Sequence, residues 1–222
     1  MAGLNVKTWE GVYSEGRSLL IWPDETVVSS LNKYNGKLKK GIDLACGAGR
    51  HTILMSQMGI ESIGIDSSQS SIDFAQKRSK KMGLNNIVFI NSLVQEIEFE
   101  KGGFDVIIAW GLIHYLKKEN QKTLLNKIYH TLKSNGLFLL TLRSIQDSRR
   151  STGIKIEGNR YLVDYFNEDT NQVKQTKMYF WSEKEVMNLL KGFAKINLGH
   201  RVVEPIGQLG TKSAHWLVEA FK

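Results

Sequence analysis

The chain has 222 residues, 41% hydrophobic and 23% charged, with 20 Gly, 2 Pro and 1 Cys. It suits one α/β-sized domain with its own apolar core and excludes disordered, collagen-like and coiled-coil chains. The lone Cys46 excludes a disulfide framework and multi-cysteine zinc or iron–sulfur sites, while the formal net charge of +8 leaves two readings open: a solvated basic surface, or a groove that attracts phosphates or nucleic acid.

No apolar run approaches the ~18 residues of a membrane span. Met1–Glu10 (MAGLNVKTWE) lacks the apolar stretch of a secretory signal. The expectation is a reducing, cytoplasmic location and no membrane partner.

In chain order, Lys40–Cys46 (KGIDLAC) reads as a buried strand that ends in the turn Gly47-Ala48-Gly49. Arg50–Met58 continues as a helix with Ile53, Leu54 and Met58 inward. Glu61–Ile65 is the next strand, and Asp66-Ser67-Ser68 supplies N-cap chemistry for a helix over Gln69–Met82. Asn86–Ile90 and Phe104–Trp110 are two further strands. Lys117–Leu132 is amphipathic, with Gly136 placed where the helix should stop, and Leu137–Leu142 (LFLLTL) is apolar enough for a central parallel strand. Arg143–Trp181 is polar and shows no clear period. A helix over Ser182–Leu190 and two β-type runs, Ala194–Val203 and Ala214–Phe221, close the chain.

This strand–helix alternation predicts an α/β fold with a doubly wound, mostly parallel Rossmann-like sheet and a C-terminal antiparallel hairpin. The organisation expected is a single unit of four parts. Residues 1–36 form an N-terminal cap, 37–142 a cofactor-binding core, 143–181 a substrate-side lid, and 182–222 the helix and terminal hairpin.

The chemistry concentrates at one edge of that sheet. In GIDLACGAGRHT, Gly41–Thr52, a strand feeds a glycine turn and then a helix, which gathers backbone N–H groups at one point. A dinucleotide fingerprint wants a further Gly where Thr52 stands, and no Walker lysine is present. The loop therefore suits a nucleoside-like ligand without a pyrophosphate. Asp66 follows the second strand, where a carboxylate accepts both ribose hydroxyls, or simply caps the next helix. Asn91-Ser92-Leu93 and Trp110-Gly111 end the third and fourth strands at the same edge.

At these residues the chain resembles the class I S-adenosylmethionine-dependent methyltransferases. GIDLACGAGRHT is similar to their first motif, ESIGIDSS to the second, FDVIIAWGLIHYL to the fourth, and LKSNGLFLLTL to the strand after it. The likeness covers about Leu38–Leu142. It implies S-adenosylmethionine as cofactor, with S-adenosylhomocysteine as product, held by Asp43, Leu44, Ala45, Cys46, Gly47, Gly49, Arg50, His51, Asp66, Ser67, Ser92, Leu93, Trp110 and Gly111. In that scheme Asp43 orients the first loop, Asp66 binds the ribose, Ser92 and Leu93 flank the adenine, and the Trp110 carbonyl meets the methionine amine. Asn91 stands where many relatives have Asp.

The tail (Arg143, Asp147, Gly153–Asn159, Phe180-Trp181-Ser182) and the N-terminal Trp9, Tyr13 and Trp22-Pro23-Asp24-Glu25 are more loosely similar to small-molecule methyltransferases of the type 11, tellurite-resistance-like group. That likeness fixes no substrate; the expected acceptor is a small polar molecule, anionic ones included.

Methyl transfer from a sulfonium needs alignment more than a nucleophile on the protein. Residues 110–113 read WGLI, which argues against exocyclic adenine methylation. For a hydroxyl or carboxyl acceptor, His114 and Tyr115 are candidate catalytic groups, alternatively packing residues. Arg143, Arg149 and Arg150 offer guanidinium forks to a carboxylate or phosphate, or form an exposed basic loop. Tyr161, Tyr165 and Trp181 either wall the substrate pocket or anchor the lid. His51 and His130 read as helix-surface residues, and His215 as a candidate acceptor-side base. No His, Asp or Glu group has metal-ligand spacing. An RNA or protein methyltransferase and a non-catalytic S-adenosylmethionine-binding regulator stay open beside the small-molecule reading, with a monomer or homodimer expected.

Overall fold

Apolar residues two apart in the central strands divide between two cores. In β4 (Phe104–Ala109), Ile107 and Ala109 face one side while Val106 and Ile108 face the other. In β5 (Leu132–Arg143), Phe138, Leu140 and Leu142 join Ile107, and Leu137 and Leu139 join Val106. Such strands are covered on both faces, as parallel strands require. The structure, a computed structural model, describes residues 4–167 and 172–222.

The first strands are β1 (Lys40–Leu44), β2 (Glu61–Asp66) and β3 (Ile87–Asn91), separated by α3 (Arg50–Gln57) and α4 (Gln69–Lys81). Helices α1 (Leu4–Ser14) and α2 (Glu25–Lys33) precede them, and α5 (Lys118–Thr131) joins β4 to β5. One face of the sheet packs Leu124 and Ile128 of α5, with Val186 of α7 (Glu183–Leu189). The other packs Val27 and Leu31 of α2 and Met55 of α3.

The strands β9 (Lys195–Val203) and β10 (Ser213–Phe221) complete a seven-stranded sheet of order β3-β2-β1-β4-β5-β10-β9. β1 to β5 run parallel to one another, and β10 is antiparallel to both β5 and β9. The expected doubly wound sheet with a terminal antiparallel hairpin is what forms.

Two expectations need correction. Helix α5 ends at Thr131, and Gly136 does not cap it. Leu132 already pairs with Phe104, and the chain makes an excursion through Asn135, at φ 62°, before Leu137 meets Val106. Nor is the polar stretch from Arg143 to Trp181 without regular structure. It forms a short helix α6 (Arg149–Thr152) and an antiparallel sheet of β6 (Ile154–Glu157), β7 (Arg160–Asn167) and β8 (Gln172–Tyr179). The period of two was hidden by charged outer residues: Tyr161 and Val163 bury against Met178 and Phe180. The side chain of Tyr165 lies outside the described residues.

Asn5 pins α1 to this second sheet. Its side chain accepts from Thr176 Oγ1 and the Lys177 N–H, both at 2.9 Å, and donates to the Tyr115 carbonyl at 2.8 Å.

Candidate active site

The turn after β1 carries left-handed backbone at alternate residues: Ala45 (φ 57°), Gly47 (φ 52°) and Gly49 (φ 75°). Alternation of this kind turns successive N–H groups toward one concave point. Ala45 pays no glycine's exemption from strain, and such outliers persist only where surroundings over-determine them. Glycine is needed at 49, because a Cβ there would lie 2.8 Å from the Phe89 ring. At 47 the Tyr13 hydroxyl closes over the loop, 2.7 Å from where a Cβ would stand.

Two buried carboxylates hold the loop. Asp43 accepts the Thr52 N–H at 3.1 Å and Thr52 Oγ1 at 2.8 Å, so β1 grips the first turn of α3. Burial pushes its carboxyl up to about 7, against the bonds from Thr52 and the charge of Arg50. Asp66 accepts from Gly47 N–H at 2.8 Å and Ser68 N–H at 2.9 Å. Burial raises its pKa as well, while those N–H groups favour the charged form. Ser68, rather than Asp66, caps α4 through a bond to the Ser71 N–H. Asn91 donates its side-chain amide to the Asp66 carbonyl, and the Ser92 N–H donates to the same atom at 3.0 Å.

These groups open onto a cavity of about 880 Å³. Ala45, Cys46, Gly47, Arg50 and His51 line it from the first loop, and Asp66, Ser67, Ser92 and Leu93 from the next two strand ends. Trp110 and Gly111 complete that side, the Gly111 N–H donating to Thr141 Oγ1 at 2.9 Å. Asp43, Leu44 and Gly49 sit behind the lining. Burial pushes the Cys46 thiol far up, so it is no thiolate nucleophile.

The same cavity is also lined by His114, Tyr115, Arg143 and His215. His114 is fully enclosed, and burial together with Arg143 holds its imidazole well below the usual range. Tyr115 packs edge-on against Trp9 with ring centroids 5.5 Å apart. Arg143 donates to Asp147 at 2.9 Å and to Ser213 Oγ at 3.2 Å.

Several expected placements are not met. His51 is no surface residue: it is buried, and its Nε2 accepts the Asp24 N–H at 3.1 Å. Burial lowers its pKa to about 3. Arg149, Tyr161 and Trp181 are not among the described residues that line the cavity. Arg149 is drawn onto Asp147 at 2.9 Å, and Arg150 lies over the Tyr161 ring. Tyr161 turns into the core of the second sheet, and Trp181 packs with Val186 and Leu190.

The structure also adds groups. Arg201 of β9 reaches the cavity and forms a two-pronged pair with Asp24, at 2.9 and 3.2 Å. Asp24 is at once this partner, the cap of α2 and the donor to His51. Although burial would raise its pKa, Arg201 and Thr26 hold it at about 2. No sequence spacing links residues 24 and 201. They meet because the N-cap of α2 lies against β9 in the folded chain.

Residues 42–136 match the family model described as a methyltransferase domain. Over these residues, less than half of the chain, it is similar to a methyltransferase domain. The chain is also similar to the carboxy-S-adenosyl-L-methionine synthase of Nautilia profundicola, 23% identical over 162 residues, which is 72% of this chain and 65% of that protein. In structure it resembles the 1,6-didemethyltoxoflavin-N1-methyltransferase of Burkholderia thailandensis, with a TM-score of 0.67 at 19% identity, covering 100% of this chain and 91% of that one. It also resembles TehB of Haemophilus influenzae, with a TM-score of 0.65 at 16% identity, over 96% and 67% of the two chains. The likeness to these structures is one of fold. The matched stretch spans between 42% and 65% of the length of curated relatives.

Proposed function

We propose that this protein transfers the methyl group of S-adenosylmethionine to a small polar acceptor, anionic ones included, by in-line displacement. The observation that carries the reading is the shared cavity, lined by the glycine loop and Asp66 and by His114, Tyr115 and Arg143. The family's cofactor, when bound, supplies an electrophilic methyl with a neutral thioether as leaving group.

The chain's own residues then have positional work. Asp66, fixed by two N–H groups, keeps lone pairs for the ribose hydroxyls. The main chain of Ala45–Gly49 meets the methionine end, and Ser92 and Leu93 flank the adenine. His114, Tyr115 and Arg143 face the acceptor. Holding acceptor and methyl in line supplies roughly 7–11 kcal/mol of barrier lowering without any covalent intermediate. The Burkholderia thailandensis neighbour was solved with bound 1,6-didemethyltoxoflavin and S-adenosylhomocysteine, which supports a small-molecule acceptor here. No helix among the described residues is long and apolar enough to cross a membrane. We place the reaction in the cytoplasm.

The test is methyl-labelled S-adenosylmethionine with the purified protein and a dialysed lysate supplemented with separate small-molecule, RNA and protein fractions. Label in the small-molecule fraction is expected. Label in RNA or protein overturns the acceptor class, and no label with the cofactor bound overturns methyl transfer.

A further inference from the structure

In the register of the antiparallel strands, His215 of β10 stands directly opposite Arg143 of β5 and directly opposite Arg201 of β9. Directly paired residues project to the same face of a sheet. The three therefore form one row across three strands, and all three line the cavity.

Asp147 pairs with both Arg143 and Arg149, and Asp24 pairs with Arg201. Arg143 and Arg201 stand one strand away from His215 on either side. Between them His215 stays neutral, its imidazole lowered to about 3 by burial first and then by Arg143, with Asp147 opposing and Arg149 and Arg201 reinforcing. His114 adds a second neutral ring beside it. Arg201 gives two N–H groups to Asp24, out of the five a guanidinium carries.

Resting on the methyl-transfer reading, we infer that the row Arg143–His215–Arg201 is the subsite for an oxyanion of the acceptor, a carboxylate or a phosphate. Arg143 and Arg201 flank the oxyanion with charge-assisted donors. His215 donates from its ring and takes up a proton as the anion arrives, since a nearby negative charge favours the imidazolium. The acceptor class is thus a small molecule carrying such a group at one end and its nucleophilic atom nearer Trp110. Linkage gives the sign of the pH effect. A group whose pKa rises on binding takes up protons, so the anion binds more tightly as pH falls below the value the imidazole takes in the complex. The groups facing His215 in that window are Arg143, Arg149, Arg201, Asp147 and His114.

The probes are inorganic phosphate and benzoate, titrated into the S-adenosylhomocysteine-saturated full chain with labelled histidine rings read by NMR. A saturable shift of the His215 ring is expected, with affinity rising from about pH 8 to about pH 6. Which probe binds better assigns the oxyanion as phosphate or carboxylate. Arg201→Gln and His215→Gln should each weaken the anion roughly tenfold, and His215→Gln should also abolish the pH slope. His215→Gln leaves both arginine–aspartate pairs in place, which keeps the test open if Arg201→Gln fails to fold. No saturable shift with either anion overturns the assignment. So does an equal loss of S-adenosylhomocysteine affinity in both variants, because the row would then hold the cofactor's own carboxylate. In the labelling assay the product should be retained on an anion exchanger, and a neutral product overturns the subsite. Anion binding without any labelling upholds the subsite and defeats the methyl-transfer reading, so the two fail separately.

Discussion

The Asp66 carboxylate accepts the Gly47 N–H at 2.8 Å, fastening the tip of β2 to the glycine loop after β1. Asp66→Ala removes a buried acceptor and leaves that N–H unsatisfied, a loss of about 1–3 kcal/mol at the loop. S-adenosylmethionine affinity should fall at least roughly tenfold by calorimetry, since ribose contact and loop geometry go together. Unchanged affinity would sink the ribose assignment.

Two glycines with the same backbone sign separate strain from packing. Gly49 (φ 75°) and Gly59 (φ 79°) are both left-handed, yet a Cβ at 49 would strike Phe89 and Ala75 while one at 59 meets nothing within 4 Å. Gly59→Ala should cost about 1–2 kcal/mol from backbone strain alone. Gly49→Ala should cost more and abolish cofactor binding. Urea midpoints of the two variants, measured side by side, decide the order.

The buried histidines make the fold acid-sensitive. His51 and His215 have pKa values near 3, depressed from an ordinary value of about 6.5. Their contribution is complete above about pH 6.5 and is lost as pH falls toward about 3, because the unfolded chain binds protons first. In His51→Gln the new side chain can still accept the Asp24 N–H without titrating. Between about pH 7 and about pH 5, wild type should lose more unfolding free energy than this variant. Equal losses would remove His51 from the account.

Asp24 acts in a lower window. Its pKa of about 2 lies below the ordinary carboxylate range, so its pairing stabilises above about pH 4 and fades as pH falls through about 2. Asp24→Asn should flatten the acid limb of the stability curve there. It should also loosen the segment before α2, read as faster proteolysis around residues 18–24.

Asn5 ties α1, and with it Trp9 and Tyr13 of the cavity wall, to β8 and the Tyr115 carbonyl. Asn5→Ala should weaken S-adenosylmethionine binding several-fold while leaving the main sheet's urea midpoint nearly unchanged. A matched loss of both would make Asn5 a general stability residue.

The parallel half was legible because its central strands carry apolar runs, such as Ile107–Ala109 and Phe138–Leu140, separated by helical periods. The glycine loop and Asp66 were legible because strand–turn–helix order alone places them at one edge. The second sheet was not, since Tyr161 and Val163 alternate with Leu162 and Asp164, and β6 is exposed along its whole length. His51 looked like a surface residue because its partner, Asp24, comes from a different segment. The Arg143–His215–Arg201 row is a property of register, which no local pattern specifies.

β10 inserts between β5 and β9, although it follows both in the chain. During synthesis the glycine loop, Asp66 and even Arg143 emerge long before His215 does. The nascent chain therefore exposes one flank of β5, with its ladder of unpaired N–H and C=O groups, until the final strand slots in. Arg143 and Arg201 come into one row with His215 only at that moment. A ribosome-bound chain halted before β10 holds the two arginines on strands that no third strand yet joins.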